Sequence, residues 1–83
     1  TDTWEKAYRN ADGSVRQLVN RNIDDLERNV DLPGFNWQRC GSSHWYGYLN
    51  DQFRFVVRRD DRQQRMQLID FGGHDLPSEY GCY

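Results

Sequence analysis

On either side of Leu32-Pro33-Gly34 the apolar residues of this 83-residue chain keep different periods. Upstream, Trp4, Ala7 and Tyr8 stand at i, i+3 and i+4, and Val15, Leu18, Val19, Ile23, Leu26 and Val30 line one face of a longer helical pattern. Downstream the period falls to two: Phe53, Phe55 and Val57 share one face of a strand, and Arg54, Val56 and Arg58 the other. A helical pattern does not pack as a strand, nor the reverse. The chain is therefore expected to be α+β, an N-terminal helical hairpin packed on a small antiparallel β-sheet, with the proline-glycine break between the two halves.

Local signals set the expected boundaries. Asp2 or Thr3 caps the first helix, and Asp12-Gly13 breaks the chain. Ser14 with Gln17 forms a capping box for the second helix, which runs to about Asn29. Its outer face (Arg16, Gln17, Asn20, Asp24, Glu27 and Arg28) is a solvated surface. Strands are expected at 35–39, 44–49, 53–58 and 64–71, with turns at Asn50-Asp51 and Asp60-Asp61. In the last strand Met66 and Leu68 are expected to oppose Ile69 and Phe71. No repeat, linker or low-complexity tract divides the chain, so residues 1–83 read as a single domain.

A chain of this size buries roughly 60–65% of its unfolded surface. Hydrophobic residues make up 36% and aromatic ones 14%, so a few large rings must supply much of the core. The net charge of −2 argues against a dedicated nucleic-acid binder, but its distribution is uneven. Residues 1–36 hold five basic and seven acidic side chains, while residues 37–65 hold six arginines and three aspartates. Ten of the eleven basic residues are arginine, which suits bidentate contacts to phosphate or carboxylate. Solvation of an exposed hairpin explains the same bias.

No run is long enough to span a membrane, and the first residues do not resemble a signal peptide. The chain opens at Thr1 without Met, so processing upstream is expected. Cys40 and Cys82 can pair in an oxidising compartment. With His44 and His74 they form a notional Cys2His2 set, but only Cys40 and His44 are close in sequence, so no zinc site is expected.

Arg54 and His74 are the first candidates for chemistry. Arg54 lies mid-strand, where a charge needs exposure or a partner, and Asp70 across the sheet is one candidate partner. His74 follows Gly72-Gly73, which let the backbone turn sharply at the end of the last strand; it is either a site residue or a plain loop histidine. Tyr80 and Asp75 are weaker candidates by themselves. Trp45, Tyr46 and Tyr48 with Arg39 mix rings and cations in a way that suits stacking on bases, though core filling accounts for the inward-facing rings. No phosphate loop, carboxylate pair or nucleophile elbow is present.

The order of landmarks resembles the RelE/ParE superfamily of bacterial toxin–antitoxin toxins. These landmarks are two helices, Leu32-Pro33-Gly34, the strand Phe53-Arg54-Phe55-Val56-Val57, and Phe71-Gly72-Gly73-His74-Asp75 with Tyr80, and the similarity extends over residues 4–80. The resemblance implies a metal-independent endoribonuclease that cleaves mRNA, is associated with the ribosome and is silenced by a cognate antitoxin protein. It implies a cytoplasmic protein with no cofactor and no membrane partner. By position, Arg54 would neutralise the phosphate, His74 would act as acid or base with His44 as a second proton-transfer group, and Tyr80 would contact the substrate nucleotide. Arg39, Tyr46, Tyr48, Arg58 and Asp75 would bind RNA. The chain departs from the family in having no strand before Trp4, in carrying Trp45 and Gly47 where some members have lysines, and in its acidic balance. The alternatives are a ParE-like topoisomerase-binding toxin and a non-catalytic antitoxin, immunity or inhibitor protein on the same scaffold.

Overall fold

The computed structural model describes residues 1–28, 35–41, 44–60, 62–63 and 65–82. It is α+β: helices α1 (Asp2–Asn10) and α2 (Gly13–Arg28) precede strands β1 (Gln38–Cys40), β2 (His44–Tyr48), β3 (Phe53–Asp60) and β4 (Arg65–Gly73), and a short helix α3 (Leu76–Glu79) follows. The strands form one antiparallel sheet in the order β1-β2-β3-β4. The Leu32-Pro33-Gly34 break, the end of the second helix beyond Arg28, and Asp61 and Gln64 at the last hairpin lie outside the described residues. Among the described residues no helix is long and apolar enough to cross a membrane.

Both helices begin with caps other than those expected. Thr1, rather than Asp2 or Thr3, caps α1: its hydroxyl oxygen accepts from the Trp4 amide at 3.2 Å and donates to the Ile69 carbonyl at 2.9 Å. The start of α1 is thereby tied to β4. Asp12 caps α2, accepting from the Val15 amide at 3.0 Å and from the Ser14 hydroxyl at 2.7 Å, so Ser14 is a helical residue and not the cap. A carboxylate is the stronger acceptor at a positive helix end. These bonds, that from Val15 first and that from Ser14 next, hold the Asp12 carboxyl below its usual range. Arg16 closes the hairpin, donating through Nε to the Tyr8 carbonyl and through Nη2 to the Arg9 carbonyl at the end of α1.

The core forms where the helices meet one sheet face. Val19, Phe35, Leu49, Phe55, Val57 and Phe71 are buried there, with Trp4, Val15, Leu18, Ile23, Leu26, Met66 and Leu68 packed around them. The rings meet edge-on or tilted: Trp4 and Phe71 at 4.8 Å, Trp37 and Phe55 at 5.2 Å. Gly47 makes this fit possible. A Cβ there would lie 2.8 Å from the Phe55 ring and 3.1 Å from Trp37.

Three strand details differ from expectation. Phe35 and Asn36 are not in a strand; Asn36 has φ of 53°, a left-handed turn conformation that Asn tolerates, and β1 starts at Gln38. In β4 the register shifts, with Val56 opposite Asp70 but Val57 opposite Leu68, leaving Ile69 as a bulge. The extra residue reverses the alternation, so Phe71 joins Met66 and Leu68 on the core face instead of opposing them. Finally, β4 does not stop at Phe71. Gly72 pairs with Arg54 and Gly73 with Phe53, neither glycine has positive φ, and the chain leaves the sheet at His74-Asp75.

The second face of the sheet is covered too. After His74-Asp75 the chain returns across it through α3, which buries Pro77, and Cys82 forms a disulfide with Cys40 at the end of β1. Val56, which points to this face, is fully buried.

Candidate functional site

Strand register decides which of the sequence-nominated residues share a surface. Tyr48 pairs with Arg54, Tyr46 with Val56 and His44 with Arg58, so His44, Tyr46, Tyr48, Arg54 and Arg58 all stand on the second face. The returning C-terminal segment brings Tyr80 to the same face, its ring centroid 6.4 Å from that of His44. Arg39 pairs with Trp45 and lies over that ring at 5.8 Å, which places it on the helix-covered face, away from this group. His74 and Asp75 sit at the exposed tip beyond β4, His74 Nε2 3.2 Å from the Asp75 carboxylate.

Arg54 is 9% exposed, and it is not paired with Asp70. Its Nη1 donates to the carbonyls of Asn50 at 2.7 Å and Phe53 at 3.1 Å, and its guanidinium carbon lies 3.6 Å above the centre of the Tyr48 ring. Two carbonyl dipoles and a ring face stabilise the buried cation. Among the described residues no carboxylate comes within ion-pair distance of it. Arg54 thus closes the turn between β2 and β3, while its full positive charge remains beneath this face. Tyr48 is held flat against it, and Tyr46 lies nearly parallel to Tyr48, with planes 17° apart and centroids 6.5 Å apart.

Asp70 turns out to serve Tyr80. The Tyr80 hydroxyl donates to Asp70 Oδ2 at 2.9 Å, and the Phe71 amide donates to Asp70 Oδ1 at 2.9 Å. Burial, then the hydrogen bond to Asp70 and that residue's negative charge, with a further contribution from Glu79, push the Tyr80 phenol up to about 12. Tyr80 is therefore a neutral hydrogen-bonding ring at physiological pH. The Asp70–Tyr80 pairing was missed because it spans the fold of the C-terminal segment. The one local signal for that segment is Asp75-Leu76-Pro77, a proline in the first turn of a helix.

The result is a face with three aromatic rings, one histidine and two arginines, one of them buried. Such a surface can stack on planar groups and attract anions, and His44 beside Tyr80 gives it a proton-transfer group. Both cysteines are spent in the disulfide, which leaves neither thiolate to bind metal. Among the described residues no cluster of three or more potential metal ligands occurs. Compared with known proteins, the chain matches no family model, no curated protein and no solved structure.

Proposed function

We propose that the second sheet face binds single-stranded RNA and that the chain acts as a RelE/ParE-type toxin, a metal-independent endoribonuclease held silent by an antitoxin protein. The observation that carries this reading is the gathering of His44, Tyr46, Tyr48, Arg54, Arg58 and Tyr80 on one face from three separate parts of the chain. Tyr46 and Tyr48 supply rings for unstacked bases, each such stack worth about 1–3 kcal/mol. Arg54 and Arg58 supply positive charge for the backbone. In the reaction, His44 takes the proton of a 2′-hydroxyl, whose oxygen attacks the adjacent phosphorus, and the 5′-oxygen leaves with a proton from water, so that a 2′,3′-cyclic phosphate remains. His74, beyond the end of β4, lies at the other end of the sheet from His44 and does not share that phosphate. Tyr80, neutral and oriented by Asp70, contacts the nucleotide.

A binding-only scaffold, as in a topoisomerase-binding toxin or an inhibitor, is the second reading. It is favoured by the commitments of two key groups: the Tyr80 hydroxyl to Asp70, and Arg54 Nη1 to two main-chain carbonyls. The compartment belongs to the proposal as well. A disulfide persists in oxidising surroundings and is rare in a mesophile's cytoplasm, so action on ribosomes there would concern the dithiol form.

The test is incubation of the purified domain with RNA oligonucleotides in chelator, in the oxidised and the reduced form. Cleavage to cyclic-phosphate ends is expected, with at least about 10²-fold loss in His44→Ala, the low end of what proton transfer contributes. Arg54→Ala is a poor probe because the side chain also holds a turn. Binding without cleavage in either redox form supports the scaffold reading, and the absence of both removes RNA from consideration.

A further inference from the structure

The C-terminal segment makes its main-chain hydrogen bonds with itself. Ser78 donates to the Asp75 carbonyl, Tyr80 and Cys82 to that of Pro77, and Gly81 to that of Ser78. Among the described residues no main-chain hydrogen bond joins residues 76–82 to the sheet. Its attachments among the described residues include the packing of Pro77 and Leu76, Leu76 lying against Gly72, the Tyr80–Asp70 hydrogen bond, the approach of the Tyr80 ring to His44, and the disulfide. The main core of Val19, Phe35, Leu49, Phe55, Val57 and Phe71 lies on the opposite face and includes none of these residues. One covalent bond thus joins the C-terminal segment to the end of β1, at the edge of a surface holding a buried arginine.

We propose that Cys40 and Cys82 form a redox latch: reduction by a dithiol releases the C-terminal segment from the second sheet face while the helix–sheet core stays folded. A thiolate of the dithiol attacks Cys82 Sγ, since Cys82 is half-buried while Cys40 is only 5% exposed. The S–S bond breaks, and Cys40 departs as the thiolate and takes up a proton. The second thiol of the reductant then attacks the mixed disulfide, leaving Cys82 as a thiol and the reductant as a cyclic disulfide. Two electrons and two protons pass to the protein. Release uncovers Val56 and Arg54 and carries Tyr80 away from His44 and Asp70. An electropositive apolar strip then replaces a capped face, because no carboxylate among the described residues pairs with Arg54. The latch does not depend on the RNA reading, and its test uses no RNA.

The experiment compares the oxidised protein, the protein reduced with dithiothreitol, and Cys82→Ser, by native-state amide hydrogen exchange and by alkaline titration of the tyrosines. In the last two samples the amides of Tyr80, Gly81 and position 82 are expected to lose their protection, and the late-titrating phenol to return toward ordinary tyrosine behaviour. The amides of Phe55 and Val57 remain protected, reduced only by the fall in global stability that loss of the cross-link brings. Unchanged protection at residues 80–82 after reduction would overturn the latch, since the segment would then hold without the bond. Loss of protection at Phe55 and Val57 down to the level of residues 80–82 would overturn it too, because the fold would then open as one unit without the disulfide.

Discussion

At Gly47 a hydrogen stands where any other residue would place a carbon 2.8 Å from the Phe55 ring. The ring is buried against Trp37 and Phe35 and has nowhere to move. Gly47→Ala is therefore expected to destabilise the domain by about 1–3 kcal/mol, as overpacking does, read as a lower denaturant midpoint. Tyr80 gives a second test at this scale. Its phenol is raised to about 12, so the protonated form is favoured by folding. That contribution is complete below the ordinary tyrosine value of 10.0 and is lost as pH rises through about 12. Ultraviolet titration should show a tyrosine ionising at about pH 12. Tyr80→Phe should remove it, and Asp70→Asn should move it down.

Helix α2 depends on its first turn in the same way that Tyr80 depends on Asp70. Asp12 accepts from Val15 and Ser14 as a carboxylate, and its pKa is lowered from 3.8. The sign is opposite to that of Tyr80: the cap's contribution is present above 3.8 and is lost as pH falls through the lower folded value. Asp12→Ala should lower the melting temperature at neutral pH and reduce the acid sensitivity of helical circular dichroism below pH 3.8. Strand β3 carries the other lesson at this scale. It is buried on both faces from Arg54 to Val57, so its arginine must be served by carbonyls and a ring instead of water.

For the molecule as a whole, the disulfide joins cysteines 42 residues apart in sequence. Restricting the unfolded chain in this way contributes about 4 kcal/mol in the loop-entropy account. Breaking it should lower the melting temperature by roughly 15–30 °C in a domain of this size. Thermal circular dichroism of the oxidised and reduced protein checks this, with the reduced form still folded at room temperature.

The two hydrophobic periods were readable in the chain because amphipathic helices and half-buried strands are local patterns, and they determine two helices followed by antiparallel strands. The residues of the candidate face were readable as types, and His44, Tyr46, Tyr48, Arg54 and Arg58 needed only the alternation of their strands to share a side. The rest depended on contacts between distant parts of the chain. The bulge at Ile69 turns Phe71 into a core residue, and one inserted position carries no composition signal. Gly47 is required by the rings of Phe55 and Trp37, each more than two helical turns away along the chain. Cys40 and Cys82 could be paired or left apart on sequence grounds, and only the return of the C-terminal segment sets their Cα atoms 4.5 Å apart. That return also gave Asp70 to Tyr80 instead of Arg54, and covered a face whose arginines and tyrosines alone predict an open surface. Periodicity determines which side of an element is apolar; the tertiary fold decides what comes to lie against the other side.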